Sequence, residues 1–335
     1  TGRLFITWTR FKLAAPTIQM SVTYSDDAAS GAPPTWSTTV VLGQRSGIDG
    51  QGSVVACDPS GPNVYVAWRS TPASGFRQIS TSISADNGLN WPALPTDLSP
   101  SFKEVLPAYG FDRFNSFPSL AVNPSGGGVE LVYAASVDGT PASDFGDVYY
   151  RRSITGGASW SLPVALDAFP GTDRPQIFPT VSASQNGRID VFWYDQSAGS
   201  GLSDLTDLFY TFSNDLGTNW SSPVPLTPAP RPSEMGNNFS APHQGDYIDA
   251  GANGVGVSAA FAWFLDPSAT TTAPDCFAFT SAAPTAVAAL RVRPGTVTYS
   301  DYGCSMNDGL LIAGESADLI LPIEKVMTRG AFAEL

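Results

Sequence analysis

Ser84-Ala-Asp86-Asn-Gly88-Leu-Asn90-Trp91 and Ser213-Asn-Asp215-Leu-Gly217-Thr-Asn219-Trp220 share one pattern, S-x-D-x-G-x-N-W. Ser153-Ile-Thr155-Gly-Gly157-Ala-Ser159-Trp160 is the same box with Thr in place of Asp, and Ser25-Asp-Asp27, followed by Gly31 and Trp36, is a version with an insertion. The spacing has a physical logic. Asp or Thr accepts hydrogen bonds from backbone N–H groups inside a tight turn, Gly supplies a positive φ, and Trp lays a large ring under the returning strand. Each box reads as a hairpin loop closing one structural unit, and repeated units mean a repeat architecture.

The same order of segments precedes each box. A strand rich in aromatics recurs at residues 4–8, 64–68, 129–133, 189–193 and 259–263, and a strand leading into the hairpin follows at 18–24, 77–82, 147–152, 207–212 and 275–279. A short apolar segment stands ahead of the aromatic strand at 53–56, 118–122, 179–182 and 247–250. The box tryptophans Trp36, Trp91, Trp160 and Trp220 recur every 55 to 69 residues. Four antiparallel strands at that period make a propeller blade, whereas a β-sandwich gives no reason for a tryptophan at one fixed phase. The expectation is an all-β chain folded as a single β-propeller of six four-stranded blades. The blades fall at about 1–44, 45–100, 101–167, 168–228, 229–284 and 285–335. The fifth unit ends in Phe279–Pro284, which lacks both Gly and Trp, and the sixth is the least regular. The chain starts on what aligns with a second strand, so an upstream portion is expected to be missing. Asp318–Ile323 is a candidate to complete the first blade.

Composition sets outer limits. In 335 residues, 42% are hydrophobic and only 14% charged, which suits a folded core, and 32 glycines with 28 prolines suit many short strands and turns. A net charge of −13 with no basic stripe excludes nucleic acid as a partner. No apolar run reaches the length of a transmembrane helix. Cys57, Cys276 and Cys304 have no CxxC spacing, so a zinc site is not expected. Cys57 reads as a small buried hydrophobe, and pairing of Cys276 with Cys304 stays open.

The boxes resemble the Asp-box, or BNR, repeats of the sialidase superfamily of β-propellers, over residues 1 to about 285. In that family the box lies on the outer rim, away from the ligand centre. The resemblance therefore implies structural roles for Asp86, Gly88, Trp91, Thr155, Trp160, Asp215, Gly217 and Trp220, and an extracellular or cell-surface location. His243-Gln-Gly-Asp246-Tyr247 resembles a Gly-Asp-Tyr motif of secreted bacterial BNR-repeat proteins. Sialidases carry an Arg-Ile-Pro segment, which is absent here, and a Tyr nucleophile activated by Glu. Thr298-Tyr299-Ser300-Asp301, followed by Asn307-Asp308-Gly309, resembles the segment holding that Tyr, with Glu104 and Glu234 as partners by elimination.

In a propeller the loops leading into the innermost strands converge on one face, where ligands bind. Here those loops repeat: Asp112-Arg113-Phe-Asn115-Ser-Phe117-Pro118 matches Asp173-Arg174-Pro-Gln176-Ile-Phe178-Pro179. With Arg45 and Asp49 from the second blade and His243, Asp246 and Tyr247 from the fifth, this gives a candidate constellation of Arg45, Arg113, Arg174, Asp112, Asp173, His243, Asp246 and Tyr247. Arginines on a concave face suit a carboxylate or sulfate. A repeated Asp-Arg pair equally suits a bridge between blades. No cofactor is certain, although Asp204/Asp207 and Asp301/Asp308 offer oxygen ligands for Ca²⁺. Three functions follow: a propeller recognising glycans or a cell-surface protein without turnover, an exo-acting sialidase-like glycoside hydrolase with Tyr299 as nucleophile, and a self-assembling structural subunit. Aromatics exposed around a neutral tunnel mouth favour the first; three arginines beside a Tyr–Glu pair favour the second.

Overall fold

The structure, a computed structural model, describes residues 2–12, 17–28, 30, 33–43, 49–72, 75–105, 115–124, 128–136, 145–166, 175–184, 187–196, 205–227, 231–232 and 246–252. Beyond these it gives the backbone of strands at 258–265, 274–280, 290–294, 298–300, 318–320 and 323–327. The first sheet is β1 (Leu4–Lys12), β2 (Thr17–Ser25) and β3 (Val40–Leu42). The second is β4 (Asp49–Cys57), β5 (Val64–Thr71), β6 (Gln78–Ser84) and β7 (Thr96–Asp97). The third is β8 (Ser119–Val122), β9 (Val129–Ala135), β10 (Asp147–Ser153) and β11 (Val164–Ala165). The fourth is β12 (Gln176–Ala183), β13 (Ile189–Asp195), β14 (Leu205–Ser213) and β15 (Val224–Pro225), with β16 (Arg231–Pro232) on the far end of β14. The fifth is β17 (Asp249–Ala252), β18 (Ser258–Leu265), β19 (Pro274–Thr280) and β20 (Leu290–Pro294). Each is an antiparallel meander, and together they form a β-propeller.

Two features depart from the blade plan read in the sequence. β20, in the stretch assigned to the sixth blade, is the fourth strand of the fifth sheet, and β23 (Ile323–Met327) pairs with it. The segment expected to complete the first blade goes elsewhere: β22 (Asp318–Ile320) pairs with β21 (Thr298–Ser300). Among the described residues β1 therefore has a partner, β2, on one edge only. Trp8 of β1 occupies the place of Trp68 in β5, Tyr133 in β9 and Trp193 in β13, so β1 is the second-strand equivalent, and among the described residues no strand pairs with its inner edge.

The core lies between the sheets. Met20, Val22 and Leu42 of the first sheet pack on Val66 and Trp68 of the second. Tyr65, Ala67 and Ile79 of the second pack on Leu131 and Tyr133 of the third. Val132 and Tyr150 meet Val191 and Trp193, and Phe192 and Tyr194 meet Ile248 at the start of the fifth sheet. Alternate residues of β9 and β13 thus serve two different interfaces. Both faces of these strands are buried, which is why they read as continuous apolar runs. Cys57 departs from its expected burial: it is exposed, because it ends β4 beside the turn at Asp58–Asn63 where the ladder runs out.

The boxes connect the third and fourth strands at one end of the sheets. Asp86 accepts from Ser84 Oγ (2.7 Å), Asn90 N (2.9 Å) and Asn90 Nδ2 (2.6 Å), while Gly88 N donates to Ser84 Oγ at 2.8 Å. Asp215 repeats this with Ser213 and Asn219, and Thr155 accepts from Ser159 N at 2.8 Å. Two successive left-handed residues make the turn: Asn87 and Gly88, Gly156 and Gly157, Leu216 and Gly217, with φ between 59° and 86°. Trp91 and Trp160 donate to the carbonyls of Gly88 and Gly157, whereas Trp220 instead sets its ring edge-on to Tyr150.

Each box also latches onto the preceding sheet. Arg3 donates to the Asn87 carbonyl at 2.6 Å, and Arg152 to the Leu216 carbonyl at 2.8 Å. Gly88 abuts Phe5, Gly157 abuts Ile83, and Gly217 abuts the Tyr150 hydroxyl. Arg152 is steered by buried Glu130, 3.3 Å from its Nε, which also accepts from Tyr150 at 2.5 Å. The fourth sheet carries a matching trio of Asp190, Tyr210 and Arg188, but there Arg188 bonds Asn214 of its own box.

Two pH effects arise here. Hydrogen bonds from Asn90 hold Asp86 at about 2, and those from Asn219 hold Asp215 at about 2. Their folded values lie below the unfolded value, so they contribute stability that is present above about pH 4 and lost as pH falls toward 2. A double variant Asp86→Asn, Asp215→Asn is expected to unfold at lower temperature at pH 7 yet lose less on acidification; thermal melts from pH 2 to 7 check this. Glu130 has the opposite sign. Burial pushes its carboxyl up to about 7, against the pull of Tyr150 and Arg152. Its charged form is disfavoured by folding, so stability falls as pH rises from about 4.5 through 7. Glu130→Gln is expected to flatten the melting temperature between pH 5 and 8.

Candidate functional site

At the end opposite the boxes, the residues just ahead of β8 and of β17 meet. Asn115 binds across the axis: its Nδ2 donates to the Asp246 carbonyl at 3.1 Å, and its Oδ1 accepts from Phe117 N at 3.1 Å. This staples the loop before β8 to the loop before β17, 131 residues away in sequence. Phe117 lies flat on Gly52, where β4 is bulged between Gln51 and Val54. A Cβ on Gly52 would stand 2.2 Å from the Phe117 ring, and Gly52 has φ +66°, so only glycine serves at this position. Phe117 also stacks on Tyr247 (centroids 5.7 Å, planes 26° apart), and Tyr247 is 60% exposed.

Beneath Phe117 lies a charged network. Arg69, 9% exposed, donates through one terminal nitrogen to both oxygens of Glu104 at 2.7 Å and through the other to Gln51 at 2.8 Å. Arg77 Nε meets Glu104 at 2.5 Å, and Ser116 N donates to Glu104 at 3.0 Å. The Arg69 guanidinium stands over Phe117 at 5.2 Å from the ring centroid, a cation–π contact that fixes the ring from below. One carboxylate thus ties two arginines and the backbone of the β8 loop together.

These residues wall a two-lobed central cavity. One lobe, of about 530 Å³, reaches along Thr7, Trp8, Thr9 and Phe11 of β1. The other, of about 390 Å³, reaches along Pro118, Ser119, Phe178 and Pro179. Phe178 holds φ +51°, a left-handed conformation costly for a residue with a side chain, within a second bulge between Ile177 and Thr180. The Phe117–Tyr247 stack borders both lobes.

Of the residues named from sequence, Asp246 and Tyr247 come together in this cavity. Arg45, Arg113, Arg174, Asp112, Asp173, His243 and Glu234 lie outside the described residues, as do Asp204, Asp301 and Asp308. Tyr299 is placed on β21 opposite Leu319, with its side chain outside the described residues. Glu104 serves as counter-ion to Arg69 and Arg77. Asp207 is bonded by Thr227, and its carboxyl is raised by burial and then by Asp195. Among the described residues no three His, Cys, Asp or Glu side chains gather as a cation site. The sequence reading missed Arg69, Gly52 and the aromatic stack. A glycine inside the strand Asp49–Cys57 and the repeated Phe-Pro of the two matching loops were the available signals.

The sequence matches no family model and no curated protein. Solved structures do resemble the fold. An α-L-arabinanase of Penicillium chrysogenum, complexed with arabinobiose, superposes with a TM-score of 0.56 at 17% identity over 83% of this chain and 74% of its own. Trypanosoma rangeli sialidase gives 0.48 at 16% identity over 88% of this chain and 51% of its own. The endo-arabinanase of Bacillus licheniformis gives 0.41 at 11% identity over 88% and 91%. At these identities the likeness is one of fold.

Proposed function

We propose that the chain is a secreted or surface-displayed Asp-box propeller that recognises glycans at its central cavity without turning them over. The observation that carries this is the exposed Tyr247 ring, held by Phe117, Gly52 and Arg69 at the mouth of the cavity. A rigid aromatic face surrounded by hydroxyl and amide side chains suits the C–H faces and hydroxyls of a sugar ring. The Ser, Asp, Gly and Trp contacts of the boxes support their reading as BNR repeats. The six-blade division remains part of the proposal, with the paired strands β21 and β22 inside the sixth unit.

Calorimetric titration of soluble glycans tests this. Tyr247→Ala is expected to weaken binding at least tenfold with an unchanged melting temperature, and bound glycan is expected back intact. Released product would instead favour hydrolysis. That second reading draws on the arabinanase fold likeness and on Tyr299, with Arg45, Arg113 and Arg174 as carboxylate holders. Turnover of an α-sialoside or an arabinan that vanishes in Tyr299→Phe would establish it.

A further inference from the structure

Asn87-Gly88, in the box of the second sheet, is an Asn-Gly pair; Gly156 and Leu216 hold the Asn87 position in the boxes of the third and fourth sheets. An asparagine followed by glycine is chemically labile, because no Cβ on the glycine crowds an attack by its backbone nitrogen on the asparagine side chain. In that reaction the Gly88 N–Cγ bond of Asn87 forms and the Cγ–Nδ2 bond breaks. The proton of Gly88 N leaves with the amide as ammonia. Water then opens the cyclic imide to aspartate or isoaspartate, so that one water is consumed for each ammonia released.

Asn87 is exposed, which leaves water and ammonia free to pass, but the fold holds the reacting atoms apart. Asn87 has φ 59°, in the left-handed region where ψ runs at about +30 to +60°. That conformation sets Gly88 N nearly opposite the Asn87 Cβ about the Cα–C bond, whereas the five-membered imide needs the two almost eclipsed. The peptide unit must therefore turn over, and because it is planar its carbonyl and N–H turn together. Both are tied. The Asn87 carbonyl accepts from Arg3 Nη1 at 2.6 Å, and Gly88 N donates to Ser84 Oγ at 2.8 Å. Asn87 N in turn donates to the Pro62 carbonyl at 2.7 Å. Gly88 is seated so closely on Phe5 of β1 that an added Cβ would stand 2.4 Å from the ring.

We infer that Asn87 is a deamidation site gated by the contact between the first and second sheets, intact while Arg3 holds its carbonyl and reactive when that seam opens. The gate is anchored in the first sheet: Asp26 holds Arg3 at 2.6 and 2.8 Å, and the guanidinium stands over the Tyr24 ring at 3.8 Å. Reaction also marks the opening permanently. Isoaspartate carries the main chain through its side chain, which adds a carbon to a turn closed by two left-handed residues and moves the carbonyl that Arg3 binds.

The test incubates the full chain in mildly alkaline buffer and follows deamidation by peptide mapping and mass spectrometry. The Asn-Gly pairs at Asn186 and Asn253 serve as references within the same molecule. Asn87 is expected to react at least tenfold more slowly in the folded chain than in the same chain unfolded in urea. Arg3→Ala should speed Asn87 at least fivefold in the folded chain while leaving Asn186 and Asn253 within twofold. Arg3→Lys, which keeps a donor for the carbonyl, should fall between. Melting curves show which variants are folded, and Arg3→Lys carries the comparison if Arg3→Ala is not. Reaction of Asn87 in the folded chain at its unfolded rate overturns the inference. So does a rate indifferent to both Arg3 variants, or one that rises equally at all three pairs, the mark of general unfolding.

Discussion

Gly217→Ala is expected to lower stability by about 2–5 kcal/mol, of which about 1–2 come from a side chain held at positive φ and about 1–3 from overpacking. The new Cβ would stand 2.1 Å from the Tyr150 hydroxyl, and Gly217 has φ +80°. Tyr150 cannot step aside: it is buried and its hydroxyl is bound to Glu130. The cost falls on the seam between the third and fourth sheets, because Gly217 belongs to one and Tyr150 to the other. Urea unfolding measures it, with Gly2→Ala and Gly251→Ala as controls. A Cβ at either control site meets nothing within 4 Å, so both should stay within about 0.5 kcal/mol of the parent. Tyr150→Phe should recover part of the loss, since it removes the atom that clashes. If Gly217→Ala proves as silent as the controls, the box is no latch.

Glu104→Ala is expected to cost about 2–4 kcal/mol and to abolish glycan binding together. Removing one partner of a buried ion pair costs about 3–5 kcal/mol, scaled down here because the Glu104 side chain keeps 17% of its surface. Two guanidinium groups would lose their counter-ion and Ser116 N its acceptor. Phe117 would then lie on a loop that keeps its Asn115 bonds but has lost its tie to Glu104. Glu104→Gln, which keeps an oxygen for Ser116 N, should cost less. In a double-mutant cycle Arg69→Met and Glu104→Ala should be strongly non-additive. Independent effects of the two changes would mean that Arg69 and Glu104 act separately.

Much of this architecture was legible because its cause is local. The boxes carry their own hydrogen-bond partners within a few residues, and buried strands such as Ile189–Asp195 show as unbroken apolar runs. The boundary after the fifth sheet was misread where that local signal stops. Phe279–Pro284 offers neither Gly nor Trp, so nothing in the sequence marks β20 as a fourth strand. The cavity was half legible. Asp246 and Tyr247 follow from the rule that loops leading into innermost strands converge. Arg69 reads only as the polar end of an apolar strand, because its partner Glu104 lies 35 residues away. The repeated Asp-Arg pairs carry the louder signal of charge, while the adjoining Phe-Pro pairs, equally repeated, supply Phe117 and Phe178 to the cavity wall.

The latches between sheets have a consequence for how the ring holds together. Each box is made by one sheet and read by its neighbour, so stability is passed along the chain in pairwise links, like teeth of a zip. Arg3 and Arg152 close two of these links, and Ile83 against Gly157 adds an apolar contact at another. At the fourth sheet the corresponding arginine, Arg188, bonds Asn214 of its own box. Loss of any one link should therefore loosen the seam it spans before the others, so that opening of the ring is a local event at a named pair of sheets.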